Sequence, residues 1–153
     1  MRFEAAEVLD LVGISKEMLR HWKKALPPIF GRDARSSRYS FEEVVALAVI
    51  ARAVRDFAVP VSHFTHVAEK MFNEVGRHLQ PPHVAQVVCI TRDDVLFAPL
   101  DSVPFHDCMV IVHLERLLVE IRTNIEARSS REAQLDLPLA GAKIAALRGL
   151  RFR

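Results

Sequence analysis

Cysteine and glycine are both scarce in this 153-residue sequence, which holds two cysteines, Cys89 and Cys108, and five glycines, at 13, 31, 76, 141 and 149. Two thiols build neither a disulfide framework nor a cysteine-only zinc site. The scattered glycines form no phosphate-cradling loop, and there is no Gly-x-Ser-x-Gly or Ser-x-x-Lys. Nucleophilic catalysis therefore has no motif to stand on, and no enzymatic activity and no cofactor are expected. Long apolar runs are missing too. The longest, Val44 to Ala51, ends at Arg52, far short of the roughly 20 residues that cross a bilayer, so no membrane partner is expected. The start, Met1-Arg2-Phe3-Glu4, meets an acid at once and has no apolar signal core. With two thiols, this points to a reducing cytosol.

What is present is enough for a core. Hydrophobic residues make up 50% and charged residues 26%, which excludes a wholly disordered chain, and the length fits one ordinary domain or two small ones. The net charge is only +2, but it is unevenly placed. Between Lys16 and Arg38 lie seven basic residues (Lys16, Arg20, Lys23, Lys24, Arg32, Arg35, Arg38) against Glu17 and Asp33, a local net of +5. From Leu137 to Arg153 there are four basic residues and no acid. Such concentration marks either a polyanion-binding surface or a solvated basic loop.

The N-terminal segment has the pattern of two helices and a tight turn. Phe3, Ala6, Val8, Leu9 and Val12 form a short stripe of helical period, ended by Gly13. Ser15 is suited to N-cap a second helix from Lys16 to about Lys24, with Met18, Leu19 and Trp22 facing a core. That unit can place its second helix in the major groove of DNA, although many globular proteins contain a helical hairpin. Pro27-Pro28 ends the second helix. Ile29-Phe30 and Arg38-Tyr39 then flank a polar basic tip, the pattern of a short hairpin or wing. Ser40-Phe41-Glu42-Glu43 is a capping box opening a third helix, roughly Phe41 to Phe57. Ala58 to Ser62 breaks it. A fourth helix is expected from Pro60 to about Val75, burying Phe64, Val67, Ala68, Met71, Phe72 and Val75, with Gly76 as its cap.

Phe3 to about Val75 resembles the winged helix-turn-helix domain of the MerR family of bacterial regulators and its excisionase-like relatives. The resemblance is carried by Ala6-Glu7-Val8, Val12-Gly13-Ile14-Ser15, Leu19-Arg20-His21-Trp22, Arg38-Tyr39-Ser40 and Val59-Pro60-Val61, in register over about half the chain. Lys23 stands where the family usually has Glu, and Pro27-Pro28-Ile29-Phe30 replaces its short Gly-Leu link. The resemblance implies that Arg20, Arg38 and Tyr39 grip phosphates.

Beyond Gln80-Pro81-Pro82, read as a linker, the resemblance stops. Val84–Ile90 and Val95–Phe97 are β-rich around Thr91-Arg92-Asp93-Asp94, the pattern of a hairpin, and Cys108–Val112 suits a third strand. Leu114, Leu118, Ile121 and Ile125 follow a 4, 3, 4 spacing, which either closes an intersubunit contact or belongs to a helix covering the hairpin. Ser129-Ser130 marks a break, and the basic segment after it reads as a tail that orders on a partner such as RNA polymerase or another protein. The resemblance raises metal sensing, because MerR-type sensors often bind metal through cysteines. His106-Asp107-Cys108 and His113 are candidate ligands, but no cysteine pair has ligand spacing. His63 and His66 lack a third ligand, and Cys89 sits in an apolar run as a buried thiol. No metal site is expected.

The fold class expected is α+β, mainly α. Residues 1–79 form a winged helix-turn-helix domain with four helices, residues 80–128 a hairpin-and-helix interaction module, and residues 129–153 a basic tail. The function expected is sequence-specific double-stranded DNA binding in bacterial transcription regulation, in the cytoplasm and on the nucleoid, by a homodimer joined through residues 84–125. Lys16, Glu17, Arg20 and His21 are the candidates for base edges. Lys24, Arg32 and Arg35 would add salt-dependent backbone affinity to that of Arg38 and Tyr39. Two alternatives stand beside this: an excisionase-like architectural factor in recombination that shares the winged domain, and a protein-interaction adaptor that no longer reads DNA.

Overall fold

The computed structural model describes residues 1–32, 38–79, 86–105 and 108–135, with side chains as far as residue 131. In chain order the elements are β1 (Arg2–Glu4), α1 (Ala5–Val12), α2 (Lys16–Ala25), β2 (Arg38–Ser40), α3 (Phe41–Phe57), α4 (Ala68–His78), β3 (Val87–Ile90), β4 (Val95–Ala98), β5 (Val110–His113) and α5 (Leu114–Leu135). Short 3-10 turns lie at Pro27–Ile29, Val61–Thr65 and Leu100–Ser102. The described residues thus form an α+β chain, mainly helical, with five α-helices and two small antiparallel sheets.

Local chemistry sets most of the boundaries. The Glu4 N–H donates to Glu7 Oε2 at 2.6 Å, closing the start of α1. Gly13 ends it in the left-handed region at φ 70°, with its N–H on the Leu9 carbonyl at 2.9 Å. Ser15 caps α2 by accepting from the Met18 N–H at 3.1 Å. Ser40 and Glu43 cap α3 reciprocally: Ser40 Oγ accepts from the Glu43 N–H at 3.2 Å and Glu43 Oε2 from the Ser40 N–H at 2.8 Å. The sequence pattern marks all of these caps except the start of α1, because Phe3 fits the period of the helical stripe. Phe3 instead lies in β1 opposite Tyr39 of β2.

That pairing also replaces the hairpin expected between Ile29-Phe30 and Arg38-Tyr39. Ile29 belongs to a 3-10 turn because Pro27 and Pro28 withhold two amide donors, and β2 pairs with β1. The fourth helix starts later and runs further than expected. Val61–Thr65 is a 3-10 turn, α4 begins at Ala68, and Gly76 lies inside it, the cap being Leu79.

α3 is the central helix. Every residue from Val44 to Ala51 is buried, as is Ala53, so the helix is covered all round rather than along one stripe. Its cover comes from α1, α4, β2 and β5. The three-stranded sheet has the order β4-β3-β5, with Val87 opposite Ala98 and His113, and Ile90 opposite Val95 and Val110. All four residues of β3 are buried. Val87 and Cys89 pack with Ala98, Leu96, Val103, Met109 and Ile111, while the sheet also meets α4 and α3. A strand covered on both faces carries a continuous apolar run. The turn between β3 and β4 is closed by Thr91 and Asp94, and it is tied down from outside itself by Lys70 on Asp94 and by His63 Nε2 on the Thr91 carbonyl at 2.8 Å. The carbonyl can only accept, so that ring nitrogen carries the proton.

These ties give one compact unit from Met1 to Ile121, in which the helices of the first half and the sheet of the second share a core. The expected linker at residues 80–85 lies outside the described residues. Within this unit Leu114, Leu118 and Ile121 are buried, so three of the four seam residues are already covered by the chain itself. The remainder of α5, from Arg122, belongs to a second unit. Ser129 and Ser130 do not break it: their hydroxyls donate to the carbonyls of Ile125 and Glu126, four residues back, at 3.1 and 2.9 Å. Residues 136–153, most of the expected tail, lie outside the described residues. No described helix is long and apolar enough to cross a membrane.

Two left-handed residues give a paired test of this reading. Gly13 sits at φ 70°, while Ala58, which ends α3, sits at φ 55° and has a Cβ. Gly13→Ala is expected to lower stability by about 1–2 kcal/mol, and Ala58→Gly to change it by less than about 1 kcal/mol or to raise it. Urea denaturation at constant m value reads both. Equal losses at the two sites would contradict the backbone geometry.

Candidate nucleic-acid interface

α2 is an amphipathic helix held firmly from below. Leu19 and Trp22 are 4% and 2% exposed, and the helix rests on the turns at Pro27–Ile29 and Val61–Thr65. Lys16, Glu17, Arg20, His21 and Lys24 are all exposed. At 100° per residue these five positions cover an arc of about 140° opposite Leu19 and Trp22. Met18, expected in the core, is half-buried. Glu17 stands in the first turn, and its carboxyl is held below the usual carboxylate range. A backbone hydrogen bond contributes most, then the Ser15 hydroxyl, with Arg20 and Lys16 adding to it. It stays an anion on an otherwise cationic face.

The residues expected around the wing divide. Arg38 is exposed, as a phosphate contact requires, and stands opposite Glu4 in the β1–β2 register. Tyr39 does not fit that role. Its side chain is fully buried, and no described group hydrogen-bonds its hydroxyl. Burial pushes the phenol pKa up, with Arg32 working against this. Its ring is a packing platform between cations, with Lys23 Nζ 5.9 Å and Arg32 Cζ 5.5 Å from the centroid. Alternation explains the misplacement: in β2 the neighbours of an outward Arg38 must point inward.

Arg32 is also a structural cation. Its guanidinium donates to both carboxylate oxygens of Glu43 and to the Pro28 carbonyl at 3.1 Å, and the Glu43 hydrogen bonds push its pKa up further. With its charge answered by Glu43, it adds little to a polyanion contact. Arg35 lies outside the described residues.

Sequence reading missed two features here. Lys23 joins the site through the Tyr39 ring, and Phe30 is 68% exposed. Between the start of α1, the exposed side of α2 and the segment Phe30–Arg32 runs a groove of about 780 Å³. Ala5, Ala6, Leu9, Leu19 and Phe30 make its apolar part, and Lys16, Arg20, Lys23 and Lys24 stand along it with a single acid, Glu17. Nothing in a one-dimensional pattern announces a groove whose walls come from three segments.

Elsewhere, Cys89 is buried and its thiol pKa is raised by that burial, whereas Cys108 is exposed. Among the described residues no three His, Cys, Asp or Glu side chains come together as metal ligands. His106 and Asp107 lie outside them.

The Tyr39 assignment is open to a direct check. Tyr39→Phe removes a hydroxyl that no described group hydrogen-bonds and keeps the ring beside its cations. It is expected to change stability by less than about 1 kcal/mol, whereas Tyr39→Ala should cost about 3–5 kcal/mol. Thermal or urea melts of both variants measure this. The sequence matches no protein-family model, no curated protein and no solved structure.

Proposed function

We propose that this chain binds double-stranded DNA as a winged helix-turn-helix protein and regulates transcription, as its resemblance to the MerR family implies. One observation carries the reading: the rigidly seated, exposed face of α2, with Lys16, Arg20, His21 and Lys24 around Glu17. A helix of this kind fits the major groove. Arg20 and Lys16 can pair with guanine edges, and Glu17 can accept from cytosine. Lys24 and Arg38 supply phosphate contacts that fix register without reading sequence.

The role of each cation separates in salt titrations. Binding to random genomic fragments is expected to weaken steeply with salt, as counterion release requires. Arg38→Ala should lower affinity for all sequences alike and reduce the salt slope by about one unit. Arg32→Ala should leave the slope nearly unchanged and instead destabilise the fold, because its partner is Glu43. Absence of salt-dependent binding by the unsubstituted chain would favour the adaptor reading and end this one.

A second copy belongs to the same proposal, since two recognition helices related by a two-fold axis read two half-sites. With Leu114, Leu118 and Ile121 covered within the chain, the second copy is assigned to the outer strands β4 and β5 and to the exposed Leu100, Phe105 and Val119. Sedimentation of the full chain at micromolar concentration is expected to give a dimer. A monomer would remove this part of the proposal.

A further inference from the structure

The groove beside α2 has a composition that DNA binding does not require. A surface made only for phosphates needs cations and solvent access, not an apolar trough. Here Ala5, Ala6 and Leu9 from α1, Leu19 from α2 and the exposed ring of Phe30 enclose about 780 Å³. That lies within the roughly 300–1,000 Å³ of small-molecule sites. The exposed Lys16, Arg20 and Lys24 line it, together with the half-buried Lys23 that leans on the Tyr39 ring, against one carboxylate, Glu17. Arg32, at one end, already has Glu43.

We propose that this groove binds a small anionic amphiphile, with an apolar body against Leu9, Leu19 and Phe30 and its carboxylate, sulfonate or phosphate toward Arg20 and Lys24. Charge complementarity selects an anion. Length selects a small molecule over a protein segment: α2 from Lys16 to Lys24 gives a wall of about 12 Å at 1.5 Å per residue, which is only about two helical turns. The chain's own C-terminal segment is a poor occupant, because from Leu137 onward it carries four basic residues and no acid. The site stands on its own geometry. On the nucleic-acid reading above it has a consequence for control, because the ligand's acidic group and DNA phosphates draw on the same Lys16, Arg20 and Lys24, so ligand and DNA exclude each other.

The test uses the full chain and anilinonaphthalene sulfonate, an anionic aromatic probe whose fluorescence rises in apolar surroundings. Saturable binding at one probe per chain is expected, displaced by dodecanoate and weaker by about tenfold or more for the uncharged phenylnaphthylamine. Ala6 is an exposed groove residue, so Ala6→Trp fills the trough without entering the core. It should abolish probe binding while leaving the melting temperature and DNA affinity unchanged. Arg20→Glu should weaken the probe by about tenfold or more. Probe binding that survives both substitutions, or that never saturates, would overturn the proposal. So would a dimer that Ala6→Trp dissociates, since a second copy would then be the occupant. Loss of the DNA reading shows separately, as absence of DNA binding by the probe-free chain, and leaves the probe result standing. If the chain binds DNA, dodecanoate should release it from the unsubstituted chain and not from Ala6→Trp.

Discussion

Burial of α3 on all sides is the constraint that the rest of the unit answers to. A helix whose residues from Val44 to Ala51 are all sealed from water has no solvent face, so several elements must each cover part of its circumference. α1 and α4 do so as helices, β2 and β5 as strands. This is why the sheet of the second half does not stand apart. β5 is needed against α3, β3 pairs with β5, and β4 follows β3 through a turn that Lys70 and His63 hold from the helical side. The surface around α2 inherits its rigidity from the same packing, through Leu19 and Trp22.

Features set by adjacent residues were legible in the sequence. The Gly13 stop, the Ser15 cap, the Ser40–Glu43 box and the extent of α3 each depend on a handful of neighbouring side chains. The β3–β4 hairpin was legible for the same reason, since a polar four-residue turn separates two apolar runs. What escaped depended on distant partners. A three-residue strand such as β1 has no measurable period, and its pairing with β2 lies more than thirty residues away. The family resemblance implies a phosphate contact at Tyr39, whereas register against Phe3 turns it inward. The seam at Leu114, Leu118 and Ile121 had the right apolar spacing, but spacing alone does not say which molecule supplies the cover.

The positive segment between Lys16 and Arg38 contains two kinds of cation that composition cannot separate. Lys16, Arg20, Lys24 and Arg38 stand in solvent. Arg32 and Lys23 instead sit over the Tyr39 ring, and Arg32 is fixed by Glu43. The outward group sets the field that a polyanion meets. The inward pair hold the segment from which that field is presented, so the local charge overstates what is available for long-range attraction.

Glu43 connects these layers in a way that bears on how such a chain can change over generations. One carboxylate closes the first turn of α3 through the Ser40 amide and also anchors Arg32, whose guanidinium covers Tyr39. Positions 32, 39, 40 and 43 therefore form a single coupled set, in which substitution energies are not additive. A change at Glu43 disturbs a helix start and a cation anchor together, and neither is restored by repairing the other alone. Drift across these four sites has to be concerted, while the exposed positions of α2 remain free to vary one at a time. A scaffold with that division of tolerance can acquire new surface chemistry on α2 without renegotiating its core.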